Sequence, residues 1–246
     1  METARKVGTD FGWKPLIEIP ETIPSASFLQ GDDAEAFLDE FNAKAREMYG
    51  DQSGRVTVLS YDQKSKIVRG SNPFAVAHAD AIGKSLGVRV ATMADLEKAL
   101  VTGALPLIGA YEDTALVLRS VGEPNEYLAR NLAEQVEARG KKFGKVPMVV
   151  QLRGLQVVSD ANSNYGLAFR LTDESEITEA PYLIEKNHGK TFNKLDETGA
   201  PIFANDGNRT LYTRKSGLSG LYLGWSLDVN SNNEYLADSN DHGRVA

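Results

Sequence analysis

The side chains near the carboxyl end of this 246-residue chain are of types suited to holding a ligand rather than transforming one. Between positions 217 and 246 stand Gly220, Tyr222, Gly224, Trp225, Ser226, Asn230, Asn232, Asn233, Tyr235, Asp238, Asn240, Asp241 and His242, with no lysine among them. Tyrosine and tryptophan give rigid contact area at low entropic cost, while serine, glycine and asparagine give adaptable hydrogen bonding. Interleaved with these is a second set, Leu218, Leu221, Leu223, Leu227, Val229, Leu236, Ala237 and Val245, spaced like a framework. The two sets predict opposite fates. The leucines should be buried, and the residues between them should face solvent on one contiguous surface.

Other chemistries fail on spacing. Asp228-x-Asn230-x-Asn232 starts like a calcium loop, but Asn233 stands where the turn needs glycine and Ser239 where the bidentate glutamate belongs. Glu123-Pro124-Asn125 matches the letters of a sugar-binding calcium loop, yet it falls at a helix start, where proline in the first helical position is the ordinary explanation. His78, His188 and His242 are too scattered to suggest a metal or a proton-transfer pair. The basic run 141–145 lacks the glycine-rich strand-to-helix turn of a phosphate site, and the sequon Asn208-Arg209-Thr210 would need a secretory route. The expectation is a non-catalytic chain with no metal and no cofactor.

Composition narrows the partners. Lys and Arg number 27 against 34 Asp and Glu, a net charge of -7, which argues against nucleic acid because phosphate neutralisation needs clustered cations. The absence of cysteine removes disulfides, thiolate metal sites and cysteine nucleophiles together. No apolar run approaches the roughly 18 residues of a membrane span, and the first residues lack a signal-peptide core. No membrane insertion is expected, and the location is cytoplasmic unless another export route exists.

Positioning this segment falls to an α+β body. Prolines 15, 20 and 24 predict an extended N-terminal arm with Trp13, Leu16 and Ile17 packed on the body. A helix is expected over 34–48, carrying Phe37, Leu38, Phe41 and Ala45 on one face, then a strand over 55–61. Asn72 caps a helix with Pro73 at its first position and Phe74, Ala77, Ala81 and Leu86 inward, stopped by Gly87. Thr92 and Asp95 begin another in capping-box fashion. Strands are expected over 115–118, 146–151 and 209–212, and in LRGLQVV and YGLAFRLT; a helix over 125–139 carries Leu128, Leu132 and Val136. Residues 174–208 read as a long insertion or lid-like loop. The chain divides into an arm and helix, 1–50, and one domain, 51–246.

Two further features carry a resemblance. Asn, Tyr, Asp, His, Ser and Gly are interconverted by changing only the adenines of the codon AAC, and Trp225 is reachable from AAG or AGG. Gly87-Val88-Arg89-Val90-Ala91-Thr92, followed by Asp95 and Glu97, fits a G-x-R-[LV]-[PA]-T motif, and the chain ends Gly243-Arg244-Val245-Ala246. In these respects the sequence resembles the variable target proteins of diversity-generating retroelements, whose variable region lies at or near the C-terminus of a C-type lectin fold of the formylglycine-generating-enzyme subgroup. The resemblance implies a C-type lectin-like domain with long loop-rich regions and a ligand-binding display protein. Its hypervariable patch would be rewritten by adenine-directed mutagenic reverse transcription, and its ligand would be an unidentified protein or cell-surface molecule. The oxidases of that fold use cysteine thiols for copper, so the likeness carries the scaffold and not the reaction. The alternative is a fixed-specificity lectin-like module for carbohydrate or protein.

Overall fold

The computed structural model describes residues 6–9, 12–15, 18–21, 28–103, 111–224, 226–238, 243 and 245. The expected arm carries a hairpin, β1 (Lys6–Thr9) and β2 (Gly12–Pro15), and its packing through Trp13, Leu16 and Ile17 falls outside the described side chains. Helix α1 (Gly31–Tyr49) buries Ala34, Phe37, Phe41, Ala45 and Tyr49, a stripe at helical spacing, and stops at Gly50.

The strand expected over 55–61 is mostly absent. A 3-10 turn occupies Gly50–Arg55, and only β3 (Ser60–Asp62) remains, paired with β4 (Ile67–Arg69). The Ser53 carbonyl accepts from the amides of both Val56 and Thr57, which keeps the chain winding. Val56 and Leu59 are therefore buried three residues apart, a turn's spacing and not a strand's.

In α2 (Pro73–Gly83), the Asn72 side chain accepts from the Ala75 amide at 2.8 Å, the expected cap. The inward face differs from expectation, because Ala81 and Leu86 are exposed. All of Pro73 to Asp80 is buried, so the helix is covered nearly all round; Leu86 lies beyond its end in a 3-10 turn that rotates it outward before Gly87, at φ 71°. Helix α3 (Met93–Thr102) has the full Thr92–Asp95 capping box. After β5 (Glu112–Leu118), buried throughout, α4 (Glu126–Ala138) buries Leu128, Leu132 and Val136.

The remainder is strand: β6 (Met148–Gln151), β7 (Leu155–Ser159), β8 (Leu167–Leu171), β9 (Ile177–Glu179), β10 (Thr191–Leu195), β11 (Pro201–Phe203), β12 (Arg209–Tyr212), β13 (Leu218–Leu223) and β14 (Val229–Asn230). Residues 174–208 are thus no lid-like loop; they hold three strands and two 3-10 turns. The few apolar residues there suffice, since Ile177, Ala180, Leu183, Phe192 and Leu195 are all buried, and Asp196 closes the β10–β11 turn by accepting from the Thr198 and Ala200 amides.

Eight strands form one sheet in the order β11-β10-β12-β14-β13-β5-β6-β9, with β12 and β14 parallel and the other pairs antiparallel. Helices and this sheet make the mixed α+β class. Leu116, Leu118, Met148, Val150 and Leu218 face a core shared with α1, α2 and α4. Ala115, Val117, Val149, Leu211, Leu221 and Leu223 face a second core, closed by Met93, Leu96, Ala99 and Leu100 of α3. No helix of the described residues is long and apolar enough to cross a membrane.

The first core contains a pH-sensitive group. His78, 1% exposed, accepts from the Tyr49 hydroxyl at 3.0 Å and faces the Phe41 carbonyl at 3.3 Å. Burial pushes its pKa down from 6.5 to about 4. Between those values the unfolded chain binds the proton and the native chain does not, so stability falls as pH falls. The expected loss through this group from pH 7 to pH 4 is about 3 kcal/mol. Buried Asp113, pushed up to about 6, acts in the opposite sense below pH 6. Comparing urea denaturation of the wild type with His78→Gln isolates the histidine. The stability gap between the two proteins should change by about 3 kcal/mol in favour of the variant on acidification, and a constant gap would contradict the assignment.

Candidate ligand-binding surface

Strand alternation sorts the C-terminal residues into two faces. Leu223 pairs with Val229, and both point into the second core; Tyr222 pairs with Asn230, and both point the other way. Asn230 also lies beside Tyr212 of β12 in parallel register. Tyr212, Asn230 and Tyr222 therefore stand side by side across three strands, each half-buried. Beneath this row, Leu211, Val229, Leu221, Leu223 and Leu227 are all buried.

Beyond β14 the chain turns twice on its own asparagines. The Asn230 side chain accepts from the Asn232 amide at 2.8 Å, and the Asn233 side chain accepts from the Tyr235 amide at 3.0 Å, two Asx turns in succession. The loop is clamped from below. The Ser231 amide donates to the Tyr212 carbonyl, the Gly220 amide donates to the Asn233 carbonyl, and Arg214 donates to the Asn232 carbonyl and to Glu234. Asn125 ties it to α4 by donating to the carbonyls of Glu234 and Leu218 while accepting from the Tyr165 hydroxyl. Leu236, fully buried, returns the chain to the first core, with Ala237 beside it and Val245 packed against that core.

What stays accessible is a shallow depression of about 490 Å³ lined by Thr213, Arg214, Tyr222, Asn232, Asn233, Glu234 and Tyr235. Tyr235 is 59% exposed. Over the ridge formed by Glu234 and Tyr235 lies a second depression of about 750 Å³, whose far wall comes from the start of α4 and from Ser163 to Tyr165. The two hollows together offer phenol rings, amides and a guanidinium–carboxylate pair, groups that hydrogen-bond and stack.

Several expected surface residues lie elsewhere. Gly220 and Gly224 are buried, contrary to expectation. A side chain at Gly220 would make only ordinary contacts with Pro73 at 3.5 Å and Asp113 at 3.6 Å, so the position is buried between β5 and the loop without demanding glycine. Gly224 closes a tight turn: its amide donates to the Asp228 carbonyl, and its carbonyl accepts from the Leu227 amide. Ser226 is half-buried with its hydroxyl on Asp228, and Asp238 is exposed but lies outside the lining of the depression. Trp225, Asn240, Asp241 and His242 lie outside the described residues. Of the calcium-like letters, Asp228 accepts from the Thr210 amide and Asn230 from the Asn232 amide, so the two side chains serve separate turns.

The Glu123-Pro124-Asn125 reading also needs correction. Helix α4 begins at Glu126 with Asn125 as its N-cap at φ 61°, which puts Pro124 outside the helix and not at its first position. Asn125 is thereby freed to clamp the loop.

Two buried arginines were missed. Arg119 reaches from the end of β5 across three strands, donating to the hydroxyls of Ser219, Ser231 and Thr213 at 2.9, 2.7 and 3.0 Å. Burial pushes its pKa down to about 9, which leaves it charged at neutral pH. Arg209, fully buried, donates to the Leu227 carbonyl at 2.9 Å and lies 3.8 Å from the equally buried Glu97 of α3. Desolvation pushes the Glu97 carboxyl up, and Arg209 pulls against it. Alternation in RTLY, with Leu211 inward, was the available signal for an inward Arg209, whereas Glu97 figured only as a letter of the motif.

No protein-family model matches the chain, and no curated protein and no solved structure matches it either.

Proposed function

We propose that this chain is a non-catalytic ligand-binding display protein, whose patch around Tyr222 and Tyr235 is diversified by adenine-directed mutagenic reverse transcription. In this reading the α+β body is a C-type lectin-like scaffold of the formylglycine-generating-enzyme type, and the ligand is a protein or cell-surface molecule. One observation carries the proposal. Tyr222, Asn232, Asn233 and Tyr235, all within adenine changes of AAC, share one depression, while the leucines interleaved with them are buried.

The physical logic is tolerance. Surface substitutions change stability by less than about 0.5 kcal/mol each, and truncating a core leucine costs about 2 to 5. A protein with about 5 to 15 kcal/mol in hand survives wholesale rewriting only where the rewritten side chains are off the core. Exposed aromatic residues grouped with amides also mark interaction surfaces.

Sequencing the DNA around the gene tests the origin of the patch. The expected finding is a reverse transcriptase gene and a near-copy of the roughly ninety bases encoding positions 217–246, differing from them only at template adenines. A neighbourhood without such a copy would favour the fixed-specificity lectin-like module.

A further inference from the structure

We infer that Asp113, a residue of β5, selects what stands at position 220 of the rewritten segment, holding a serine there by a hydrogen bond and rejecting an aspartate. The consequence for a repertoire rests on the display reading; the chemistry between positions 113 and 220 does not. Asp113 is 3% exposed. The Ser71 hydroxyl donates to its Oδ2 at 2.5 Å, while its Oδ1, shut off from solvent, has no hydrogen-bond partner among the described residues. A buried carboxylate oxygen without a donor costs free energy, and a donor brought to it recovers that cost.

Position 220 is where such a donor would come from. A Cβ placed on Gly220 lies 3.6 Å from that oxygen, with Pro73 at 3.5 Å and Asn233 at 4.0 Å as its other near neighbours. All three are ordinary contacts, and the φ of Gly220 is not positive, so a small side chain enters without strain. A serine hydroxyl donating at about 2.7 Å sets its acceptor about 3.5 Å from the serine Cβ. Asp113 already holds its free oxygen at that range. An aspartate at position 220 would instead set a second carboxylate against the first, and each would disfavour the other's ionised form. Asparagine has the same size without the charge.

The groups that face Asp113 from the elements around it are Ser71 ahead of α2, Tyr222 on β13 and Asn233 in the loop. None carries a charge near neutral pH, since burial and Asp113 itself push the Tyr222 phenol up to about 12. Glu112, the next residue along β5, pairs with Leu223 and turns to the opposite face. The amide of residue 220 donates to the Asn233 carbonyl at 2.8 Å, so a serine bonded to Asp113 would fasten the base of the patch loop to β5. Asp113 lies outside positions 217–246. Rewriting the C-terminal segment would leave it in place, and every variant would meet the same filter, which glycine and serine pass and aspartate does not.

The test is thermal unfolding of the full chain at pH 8 and at pH 5, with Gly220→Ala, Gly220→Ser, Gly220→Asn and Gly220→Asp each made in the parent and in Asp113→Asn. At pH 8 Gly220→Ser should melt at least about 3 °C above Gly220→Ala, the shift expected of a hydrogen bond to a charged acceptor in a chain of this size. At pH 5, below the value of about 6 to which burial pushes Asp113, that gap should shrink to about half, because a neutral acceptor binds about half as strongly. In Asp113→Asn the gap should not vary with pH. Gly220→Asp should melt below its isostere Gly220→Asn at pH 8, and the deficit should be smaller in Asp113→Asn, where no second carboxylate faces it. Equal melting of Gly220→Ser and Gly220→Ala, or a gap indifferent to pH in the parent, would overturn the inference. So would equal loss in Gly220→Asn and Gly220→Asp, since size alone would then decide, or failure of Gly220→Ala to fold, since the site would then admit no side chain. The serine gap in a chain whose gene has no template copy would sink the retroelement reading and leave the pairing of 113 with 220 intact. A template copy with no serine gap would do the reverse.

Discussion

Leu221→Ala is expected to lower stability by about 3 kcal/mol, although it lies one residue from Tyr222. Leu221 is 2% exposed in the second core, and its backbone carbonyl accepts from the Thr114 hydroxyl at 3.1 Å. Removing its isobutyl group forfeits the transfer energy and leaves a cavity between the sheet and α3, which the paired strands on either side cannot close. Tyr235→Ser and Asn233→Ser, in the same C-terminal segment, should each change stability by less than about 0.5 to 1 kcal/mol. Asn233 sits at the upper end of that range because its side chain holds the Tyr235 amide. Urea denaturation of the three variants checks the contrast, and similar midpoint shifts for all three would remove the distinction between framework and patch.

A larger effect, about 3 to 5 kcal/mol, is expected for Arg209→Met. The substitution leaves Glu97 fully buried without the cation that faces it among the described residues, and it deprives the Leu227 carbonyl of a donor. Because burial already pushes the Glu97 carboxyl up, losing Arg209 pushes it further above its unfolded value. An acid whose folded pKa is raised is penalised above that pKa and relieved below it, so the deficit of Arg209→Met should shrink as pH is lowered. Adding Glu97→Gln removes the stranded charge and should recover part of the loss at neutral pH. Hydrogen exchange gives a local readout: the Gly224 and Leu227 amides, which close the turn over Arg209, should lose protection in the single variant. A deficit that does not vary with pH would contradict an ionic role for the pair.

What the sequence disclosed was short-range. Asn72 and Thr92 announced their helices because a cap acts within three or four residues, and the Leu128–Leu132–Val136 stripe needed only its own periodicity. Of the C-terminal leucines, Leu221 and Leu223 share one face of β13 by strand spacing, whereas Leu218 faces the other core and Leu227 and Leu236 lie outside the strand, buried by contacts that only the fold supplies. In residues 174–208, β9 is fixed by a distant partner, β6, while β10 and β11 form a local hairpin that was missed because only Phe192 and Leu195 of β10 are buried apolar side chains amid polar ones. Gly220 and Gly224 share a composition with exposed binding loops, and their burial comes from the pairing of β13 with β5 and from the turn that Gly224 closes with Asp228, contacts that no local pattern records. Arg119 and Asn125 serve the loop from about a hundred residues away, a distance over which no spacing rule operates.

The most direct trial of the division between framework and patch is a library in which Tyr222, Asn230, Asn232, Asn233 and Tyr235 are varied together among Asn, Tyr, Asp, His, Ser and Gly, scored by thermal unfolding of individual clones. Most clones should melt cooperatively within about 10 °C of the parent, since the expected cost is about 0.5 kcal/mol per position and up to about 1 at Asn233, whose side chain holds the Tyr235 amide. A library in which most members fail to fold would contradict the account, because those side chains would then belong to the structure and not to a surface free to be rewritten.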